Sequence, residues 1–293
     1  MSIIPLNGAA EALYMIIGVE RPSTAIIFEP TFGDHKPLFH TLSINYVAVQ
    51  YTELFDRYVL PLDNIYYIPI PKSSCILLFS NPNNPLGTCI SIRDVEEILQ
   101  MYRDCIVVVD EAFMDLSNNC NSAFELAEDY RNLVILRSLT KTFAVPGLRI
   151  GFLYTMNRDV LNRLEAFRQP WNVNNIAAHV FSRALTEYRN DLRGFIEYSK
   201  EVVVSERQYL EHSLYSLGIH LYKSHAPYIL VRFHRDVEHV QGALEKFKIW
   251  IRDASSFQTL TKFHGRISVR LRNDNEKLIT ALRNIFEENQ HNA

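Results

Sequence analysis

The chain of 293 residues lacks the short motifs that identify many nucleotide and metal enzymes. It contains neither the G-x-G-x-x-G pattern of dinucleotide-binding proteins nor the P-loop of enzymes that bind nucleoside triphosphates. Its ten histidines form no H-E-x-x-H motif, so the sequence predicts no metal site. Its net charge of −3 provides no basic footprint, and we therefore expect no nucleic-acid partner.

Long apolar runs are also missing. No stretch reaches the ~18 apolar residues that a membrane-spanning helix requires, so we expect no membrane partner. The first residues include an acidic side chain and no positive region, which is untypical of a secretory signal peptide. The four cysteines show neither a C-x-x-C pair nor the spacing of metal ligands. We therefore expect reduced thiols and a cytoplasmic location.

The pattern of apolar residues predicts an α/β fold. Up to residue 154, short apolar runs alternate with segments of helical periodicity, which indicates a mostly parallel sheet with helices on both faces. The runs read as fully covered strands because they are continuous rather than alternating. They lie at 25–28, 46–50, 75–79, 105–109, 133–136 and 148–154.

The length of the chain suggests about two domains. Two long helices are predicted at 176–195 and 199–217, and they connect to a smaller C-terminal α+β domain. We place the large domain at residues 1–190 and the small domain at residues 191–293. The strands of the small domain are predicted near 228–233, 248–252 and 266–271, with helices at 237–247 and 273–288.

One connection between strands carries several reactive groups. Ser138 lies three residues before Lys141, and Arg149 follows a Pro-Gly turn. A lysine in partly apolar surroundings loses its proton more easily, and a neutral amine can form a Schiff base with an aldehyde. Arginine is the side chain that best binds a phosphate through two hydrogen bonds. From these residues alone, a Schiff-base lysine and a structural loop are equally good interpretations.

Two further segments end predicted strands with polar groups. The run at 75–79 is followed by Asn-Pro-Asn-Asn-Pro, and the run at 105–109 is followed by Asp110. In open α/β sheets, ligands bind at the carboxyl ends of the strands. An acidic residue next to a buried strand is costly without a partner, and a bound cation would relieve that cost. Near the N-terminus, the Asn7-Gly8 turn into a helix would suit a phosphate.

Residues 138–151, SLTKTFAVPGLRIG, resemble the lysine motif of class I/II aminotransferases, the fold-type I enzymes that use pyridoxal phosphate. The resemblance extends from Asn7-Gly8 to the last helix, and it is closest to the histidinol-phosphate aminotransferase branch, which includes threonine-phosphate decarboxylase. It implies that Lys141 forms the Schiff base and that Asp110 pairs with the pyridine nitrogen of the cofactor. The remaining cofactor-binding residues that it implies are Ala9, Ala10, Phe32, Asn84, Ser138 and Arg149.

These residues have distinct implied roles. The amides of Ala9 and Ala10 hold the phosphate, Phe32 stacks on the ring, and Asn84 binds the 3-oxygen. Without the resemblance, Phe32 reads equally well as a core residue. The implied substrate-binding residues are Arg252, Arg266 and Asn174, although Asn174 also suits a helix cap.

The resemblance to the decarboxylase rests on Phe113, where aminotransferases often have tyrosine, and on the Arg-Ile-Ser-Val-Arg strand. The implied reaction starts when a substrate amine displaces Lys141 to form an external aldimine. The first expectation is decarboxylation of threonine phosphate in cobalamin biosynthesis. The alternative is transamination of histidinol phosphate or another amino acid. The resemblance also implies that the protein is a homodimer.

The sequence also departs from the family at its start. It begins at the first large-domain helix, and the N-terminal segment of the family is missing. We expect either a truncated gene model or a real short form with a weaker site, and a truncated, non-catalytic remnant is the third functional expectation.

Overall fold

The computed structural model describes residues 2–33, 35–69 and 74–287. The strands are β1 (Ile3–Leu6), β2 (Thr24–Glu29), β3 (Asn45–Gln50), β4 (Thr52–Glu53), β5 (Tyr58–Val59), β6 (Cys75–Ser80), β7 (Ile106–Asp110), β8 (Leu133–Ser138), β9 (Gly151–Tyr154), β10 (His220–Leu221), β11 (Tyr228–Arg232), β12 (Arg252–Asp253) and β13 (His264–Ser268). The helices are α1 (Ala9–Glu20), α2 (His35–Thr41), α3 (Leu62–Tyr66), α4 (Ile92–Met101), α5 (Leu139–Thr142), α6 (Arg158–Phe167), α7 (Asn175–Glu187), α8 (Arg189–Ser216), α9 (Val237–Glu245) and α10 (Arg272–Glu287).

Seven strands form one sheet in the order β1-β9-β8-β7-β6-β2-β3. The pairs β3–β2, β2–β6, β6–β7 and β7–β8 are parallel, whereas β9 is antiparallel to both of its neighbours, β8 and β1. The chain leaves β2 for β3 on one side and later adds β6 on the other side, so the strand order reverses at β2. Ligands bind at the carboxyl ends of strands beside such a reversal. The predicted α/β class with a mostly parallel sheet is confirmed.

Side chains of the parallel strands alternate between two apolar clusters, one on each face of the sheet. In β6, Leu77 and Phe79 belong to one cluster, whereas Ile76 and Leu78 belong to the other. Helix α4 packs on the first cluster, and α1 and α6 pack on the second. Because both faces are covered, the strands are continuous apolar runs, as the sequence predicted.

A second sheet of four antiparallel strands follows α8, in the order β10-β11-β13-β12. Ile229, Val231 and Ile267 pack against α8, α9 and α10 in a separate apolar cluster. The two sheets meet where the hydroxyl of Tyr228 donates to the carbonyl oxygen of Asn83 at 2.8 Å. The second sheet therefore lies against the loop that follows β6.

The boundaries of the long helices differ from the prediction. Helix α7 ends at Glu187 and α8 runs for 28 residues from Arg189. Tyr188 between them has φ −124° and ψ 29°, which is not a helical conformation. The predicted strand at 248–252 is reduced to β12, because only Arg252 and Asp253 pair with β13.

The expectation of four reduced thiols is wrong. Cys75 is bonded to Cys105, with Cα atoms 4.8 Å apart, and Cys89 is bonded to Cys120, with Cα atoms 5.8 Å apart. Cys75 directly precedes Ile76, and Cys105 directly precedes Ile106. These two isoleucines are register partners in the adjacent parallel strands β6 and β7. Pairing across neighbouring strands joins cysteines that are 30 residues apart, and no short spacing in the sequence reveals it.

The described ranges contain neither a candidate membrane-spanning helix nor a cluster of metal-binding side chains. Among residues 2–33, 35–69 and 74–287, no helix has both the length and the apolar character needed to cross a bilayer. Within the same ranges, histidine, cysteine and acidic side chains do not gather in groups of three that could hold a metal ion.

Candidate active site

A cavity of about 390 Å³ lies at the carboxyl ends of the central parallel strands. It is formed where β6, β7 and β8 end and where α1 begins, beside the reversal of strand order. All of the predicted cofactor residues except Ser138 contribute to its wall. The lining residues are Ala9, Ala10, Leu13, Phe32, Ser80, Pro82, Asn84, Asp110, Ala112, Phe113, Lys141, Arg149 and Arg266.

Lys141 lies in α5, a four-residue helical turn that directly follows β8. The sequence predicted only a connection here, because a single turn of helix is too short to produce an apolar periodicity. Burial lowers the pKa of the Lys141 amine. The carboxylate of Asp110 raises this pKa and the guanidinium of Arg149 lowers it, so the two charges act in opposite directions. The net lowering favours the neutral, nucleophilic form of the amine.

Asp110 is the last residue of β7. Its Oδ1 accepts a hydrogen bond from the backbone N–H of Ala112 at 3.0 Å. Burial raises the pKa of this carboxyl group, although the Ala112 amide and the Lys141 charge both lower it. A cation placed in the cavity would therefore stabilise the ionised form of Asp110.

The turn before α1 is built to approach a ligand closely. Gly8 has φ +85°, and a Cβ atom there would lie 2.6 Å from Nη2 of Arg149. The backbone N–H of Asn7 donates to the carboxylate of Glu11 at 2.7 Å, which fixes the turn at the start of the helix. The first backbone N–H groups of an α-helix have no partner within the helix, so they are available to an anion. Arg149 adds a cation at the same place.

The loop after β6 is rigid because its asparagines bond to the backbone. Asn83 donates to the carbonyl of Pro30 at 3.0 Å and accepts from the N–H of Leu86 at 3.1 Å. Asn81 accepts from the N–H of Ile90 at 3.0 Å. Asn84 differs, because its Oδ1 accepts from Arg266 and its side chain lies in the cavity wall.

Three of the predicted site residues lie outside the wall of this cavity: Arg252, which lines a neighbouring cavity, Ser138 and Asn174. The hydroxyl of Ser138 is buried and forms a 2.8 Å hydrogen bond with the hydroxyl of Thr140. Asn174 caps α7, where its Oδ1 accepts from the N–H of Ala177 at 2.8 Å and its Nδ2 donates to the carbonyl of Leu148 at 2.9 Å. This arrangement matches the helix-cap interpretation of Asn174, and its role in substrate binding stays a prediction.

Sequence reasoning missed several residues near the cavity. The ring of Tyr228 lies 5.1 Å from the ring of Phe113, and the guanidinium of Arg266 lies 4.9 Å from the centre of the Tyr228 ring. Ser80 contributes a buried hydroxyl with no hydrogen-bond partner among the described residues. The polar end of the apolar run in β6 was a usable signal for Ser80. No local signal marks Tyr228, which reaches the site from the second sheet.

The cavity fits pyridoxal phosphate on three observations. The absence of a Cβ atom at Gly8 lets the guanidinium of Arg149 lie against the turn, so a cation and the free N–H groups at the start of α1 could bind the same phosphate. Asp110 has a raised pKa that a protonated ring nitrogen would relieve. Ser80 has an unsatisfied hydroxyl in the wall, and a ligand oxygen could supply its missing partner.

Known proteins resemble this chain over nearly its full length. The family model described as "Aminotransferase class I and II" matches residues 1–282. A histidinol-phosphate aminotransferase of Methanosphaera stadtmanae is 30% identical over 293 residues, which cover 97% of this chain and 76% of that protein. A protein of Caldanaerobacter subterraneus named "Putative threonine-phosphate decarboxylase" is 29% identical, covering 98% of this chain and 77% of the relative.

A third relative is longer. The bifunctional adenosylcobalamin biosynthesis protein CobDQ of Leptospira interrogans is 30% identical over 286 residues. This match covers 96% of the chain but only 32% of that bifunctional protein.

Solved structures share the fold. The histidinol-phosphate aminotransferase of Clostridium acetobutylicum superposes with a TM-score of 0.89 at 24% identity, covering 98% of this chain and 84% of that one. The L-threonine-O-3-phosphate decarboxylase of Porphyromonas gingivalis gives a TM-score of 0.83 at 22% identity with the same coverage. At these identities the likeness concerns the fold, whereas the family model and the 30% identical relative establish the family. The chain therefore belongs to the aminotransferase class I and II family of pyridoxal phosphate-dependent enzymes.

Proposed function

We propose that this enzyme decarboxylates L-threonine O-3-phosphate, a step of cobalamin biosynthesis. The observation that carries the proposal is a pair of arginines. Arg252 in β12 and Arg266 in β13 are register partners in adjacent antiparallel strands. Like charges directly opposite each other in a sheet are destabilising. A ligand that carries two anionic groups would relieve this repulsion.

Neither arginine is neutralised within the described part of the chain, where no carboxylate forms an ion pair with Arg252 or Arg266. Arg252 donates to the hydroxyl of Ser256 at 3.1 Å, and Arg266 donates to the side-chain oxygen of Asn84. Nε of Arg266 is buried without a hydrogen-bond partner. Burial lowers the pKa of Arg266 and the nearby charge of Arg252 lowers it too. Both guanidinium groups are therefore available to bind substrate anions.

A second cavity of about 310 Å³ adjoins the first. The two share Phe32, Asn84 and Arg266 in their walls. The second cavity also contains Arg252 and Lys36, and the amine of Lys36 lies 2.9 Å from the buried carboxylate of Glu29. A small amino acid with its amine at Lys141 would extend its anionic groups toward these cations. This charge distribution favours a substrate with both a carboxylate and a phosphate.

Each residue of the cofactor cavity has a proposed task. Pyridoxal phosphate, when bound, supplies an aldehyde that accepts the substrate amine and a protonated ring that withdraws electrons from the substrate Cα. Lys141 provides the amine that holds the cofactor and later carries a proton. Asp110 holds the proton on the ring nitrogen. Asn84 orients the ring through its 3-oxygen, and Phe32 packs on the ring.

The phosphate end is proposed to use Arg149, Ser138 and the amides of Ala9 and Ala10. The polar groups of the cavity are thus divided between cofactor and substrate. We keep the proposed division of the chain into a large domain at 1–190 and a small domain at 191–293, because the second sheet has an apolar cluster of its own with α8, α9 and α10, although its Leu230 also packs into a cluster of the first sheet.

The choice of decarboxylation rests on Phe113 and on the arginine pair. Phe113 lies in the cavity wall and has no hydroxyl to donate to the cofactor. Bound pyridoxal phosphate would supply the electron sink for loss of CO2. Arg252 and Arg266 would orient the carboxylate, and their separate binding of the phosphate would leave the carboxylate only moderately neutralised.

Product analysis tests this function. Threonine phosphate is supplied to the holoenzyme, and CO2 release is followed beside formation of a keto acid. We expect CO2 and aminopropanol phosphate. Formation of keto acid without release of CO2 would show that the enzyme catalyses transamination instead. If neither product forms, with this substrate or with histidinol phosphate, a non-catalytic remnant is supported instead.

The second candidate is transamination of histidinol phosphate. The 30% identity to a histidinol-phosphate aminotransferase favours it, since the decarboxylase relative is no more similar. Histidinol phosphate has no carboxylate, so it would satisfy the two arginines with its phosphate alone. A kinetic comparison of the two substrates therefore separates the candidates by the number of anionic groups that the site requires.

We also propose a homodimer with the active site near the interface. Phe143, two residues after Lys141, packs on Phe181 of α7 at a ring distance of 5.7 Å. Beside this contact, the surface formed by α7, α8 and the segment before them exposes large apolar side chains, which mark interaction surfaces when they are clustered. They are Trp171, Ile176, Leu185, Phe195 and Tyr198. A monomer mass at micromolar concentration in solution scattering would contradict this proposal.

A further inference from the structure

A second row of polar residues lies behind the residues of the cofactor cavity. The front row consists of Asp110 and Lys141, which line the cavity, and of Ser138, which is buried beside them. Each of these three residues is adjacent in the sequence to a member of one buried network. These neighbours are Glu111, Arg137 and Thr142, and Asp115 joins them.

Arg137 is the centre of this network. Its Nη2 lies 2.9 Å from the carboxylate of Glu111, and its Nη1 forms an ion pair with the carboxylate of Asp115. Nη2 also donates to the hydroxyl of Ser122 at 3.0 Å. The Glu111 side chain is fully buried, and that of Arg137 is only 11% exposed. These contacts connect the end of β7 with the end of β8.

Thr142 connects the network to the turn that contains Lys141. Its hydroxyl donates to Oδ2 of Asp115 at 2.8 Å, and the residue is 3% exposed. The second carboxylate oxygen of Asp115 binds Arg137. Asp115 therefore holds the residue after Lys141 with one oxygen and the residue before Ser138 with the other.

Local geometry explains the two rows. Successive residues of a strand point to opposite sides, so Arg137 points away from the side of Ser138. Helix α5 has only four residues and no side-chain hydrogen bond at its N-cap. Isolated helical turns are unstable because nucleation is costly. The position of α5 must therefore come from contacts with the rest of the protein.

We propose that Asp115 is a positioning residue for Lys141. Through Thr142 it fixes the turn that bears the lysine, and through Arg137 and Glu111 it locks this turn to the strand end that bears Asp110. The inference rests on the proposed roles of Lys141 and Asp110. The alternative is that the network only stabilises the fold.

The cost of burying charged groups favours the interpretation that this network positions Lys141 over the interpretation that it stabilises the fold. Burying charged groups removes their hydration, and this cost often cancels their mutual attraction. Replacing a buried ion pair by apolar residues is frequently neutral or stabilising. A network of three charged groups directly behind a reactive lysine is thus a costly way to gain stability. It fixes geometry well, because each charged hydrogen bond restrains both distance and direction.

The test compares two valine substitutions that each remove one buried hydroxyl. Thr142→Val breaks the contact with Asp115. Thr155→Val is the matched control, because Thr155 is fully buried and donates to the carbonyl of Leu133 at 2.7 Å, at the other end of β8. The melting temperature of the cofactor-free protein reports stability. The dissociation constant for pyridoxal phosphate, and the pH at which its bound visible absorbance changes, report the position of Lys141.

We expect both variants to lower the melting temperature by similar amounts. Thr142→Val should weaken pyridoxal phosphate binding by about tenfold, as expected for loss of a hydrogen bond to a charged group, whereas Thr155→Val should leave binding within about twofold. Thr142→Val should also move the absorbance midpoint by at least about half a pH unit. Thr142→Ser, which retains the hydroxyl, should restore both values.

Equal cofactor binding by the two valine variants would overturn the proposal, as would failure of Thr142→Ser to restore binding. If Thr142→Val does not fold, Asp115→Asn provides the same measurement, and unchanged binding by that variant would also overturn the proposal. The wild-type protein is first reduced with borohydride and mapped. A tag on a lysine other than Lys141 refutes the proposed function itself, so the two failures are distinguishable.

Discussion

The cofactor end and the anion end of the active-site cleft are built in different ways. The cofactor end consists of residues at the ends of consecutive parallel strands, with Asp110 closing β7 and Lys141 one turn beyond β8. The anion end brings together Lys36 of α2 with Arg252 and Arg266 of the second sheet. More than 200 positions in the sequence separate Lys36 from Arg252. One end is fixed by a single sheet, whereas the other depends on how two sheets pack.

This difference assigns different chemical tasks to the two ends. Strands covered on both faces hold the cofactor residues in a rigid frame. The arginines lie on the four-stranded sheet, which meets the first sheet through an apolar cluster that includes Leu230 and through the hydrogen bond from Tyr228 to Asn83. Substitutions at the cofactor end should therefore abolish chemistry, whereas substitutions at the anion end should change substrate affinity and choice.

The largest effect is expected for Lys141→Ala. Among the described residues, Lys141 is the only one that contributes an amine to the cofactor cavity wall, so its removal should lower turnover by at least about a thousandfold, as loss of an essential nucleophile does. Borohydride reduction of the wild-type holoenzyme should tag the peptide that contains Lys141, and the variant should give no tag. Lys246→Ala, at an exposed position of the second domain, is the control and should leave both unchanged. Full activity of Lys141→Ala would show that Lys141 is not essential. The proposed difference in chemical task between the cofactor end and the anion end would then be wrong.

The next effect separates two adjacent acids. Asp110→Asn should keep pyridoxal phosphate bound but lower turnover by about a hundredfold or more, because the ring nitrogen loses its partner. Glu111 has its charge satisfied by Arg137, Ser122 and the N–H of Ala123. Glu111→Gln should therefore lower the free energy of unfolding by about 2 kcal/mol and, through the network that positions Lys141, weaken pyridoxal phosphate binding, with a smaller effect on turnover than Asp110→Asn.

Urea unfolding and single-turnover kinetics of both variants distinguish these expectations. The reverse result, with Asp110→Asn unstable but active, would show that Asp110 is the structural acid of the two.

Much of the cofactor end was predictable from sequence because its signals are local. A continuous apolar run that ends in Asp110 places a carboxylate at the edge of the sheet. The Asn7-Gly8 turn before a helical pattern suits an anion, but by itself it is a weak signal, and the family resemblance was needed to predict a phosphate site there. The segment from Ser138 to Arg149, together with the family resemblance, predicted the Schiff-base lysine and two of the phosphate-binding residues.

The anion end was less predictable. The resemblance named Arg252 and Arg266, but no pattern showed that they are register partners. Lys36 and Tyr228 were missed, since their roles arise only when α2 and the second sheet reach the cleft. The same limit applies to the disulfide between Cys75 and Cys105, because cross-strand pairing is invisible in residue spacing.

An intermediate effect is expected at the anion end. Removing one partner of a buried, charge-assisted contact costs roughly 2–5 kcal/mol, so Arg266→Ala should weaken substrate binding by well over tenfold. Pyridoxal phosphate binding should change little, since its proposed phosphate anchors are elsewhere. Arg163→Ala is a suitable control, because Arg163 pairs with Glu20 on the surface. KM for threonine phosphate and the cofactor dissociation constant are the measurements, and an unchanged KM would contradict the assignment.

The smallest effect concerns the pKa of Lys141 and tests the electrostatics of the cofactor end. Burial lowers this pKa, Asp110 raises it and Arg149 lowers it. Arg149→Gln removes a repulsive charge, so the pKa should rise and less neutral amine should exist at a given pH. Asp110→Asn removes an attractive charge, so the pKa should fall. The two shifts should have opposite signs, because Asp110 and Arg149 act on the pKa of Lys141 in opposite directions.

Acetylation of Lys141 in the cofactor-free protein measures these shifts without the complication that Arg149 also binds phosphate. The rate of modification is followed by peptide mass spectrometry as a function of pH, because only the neutral amine reacts. In the wild-type protein the midpoint should lie below the value of about 10.4 found for an ordinary lysine. The two variants should move it in opposite directions. Shifts of the same sign would mean that loss of structure, rather than charge, changes the lysine, and a midpoint at the ordinary value would show that burial does not activate it.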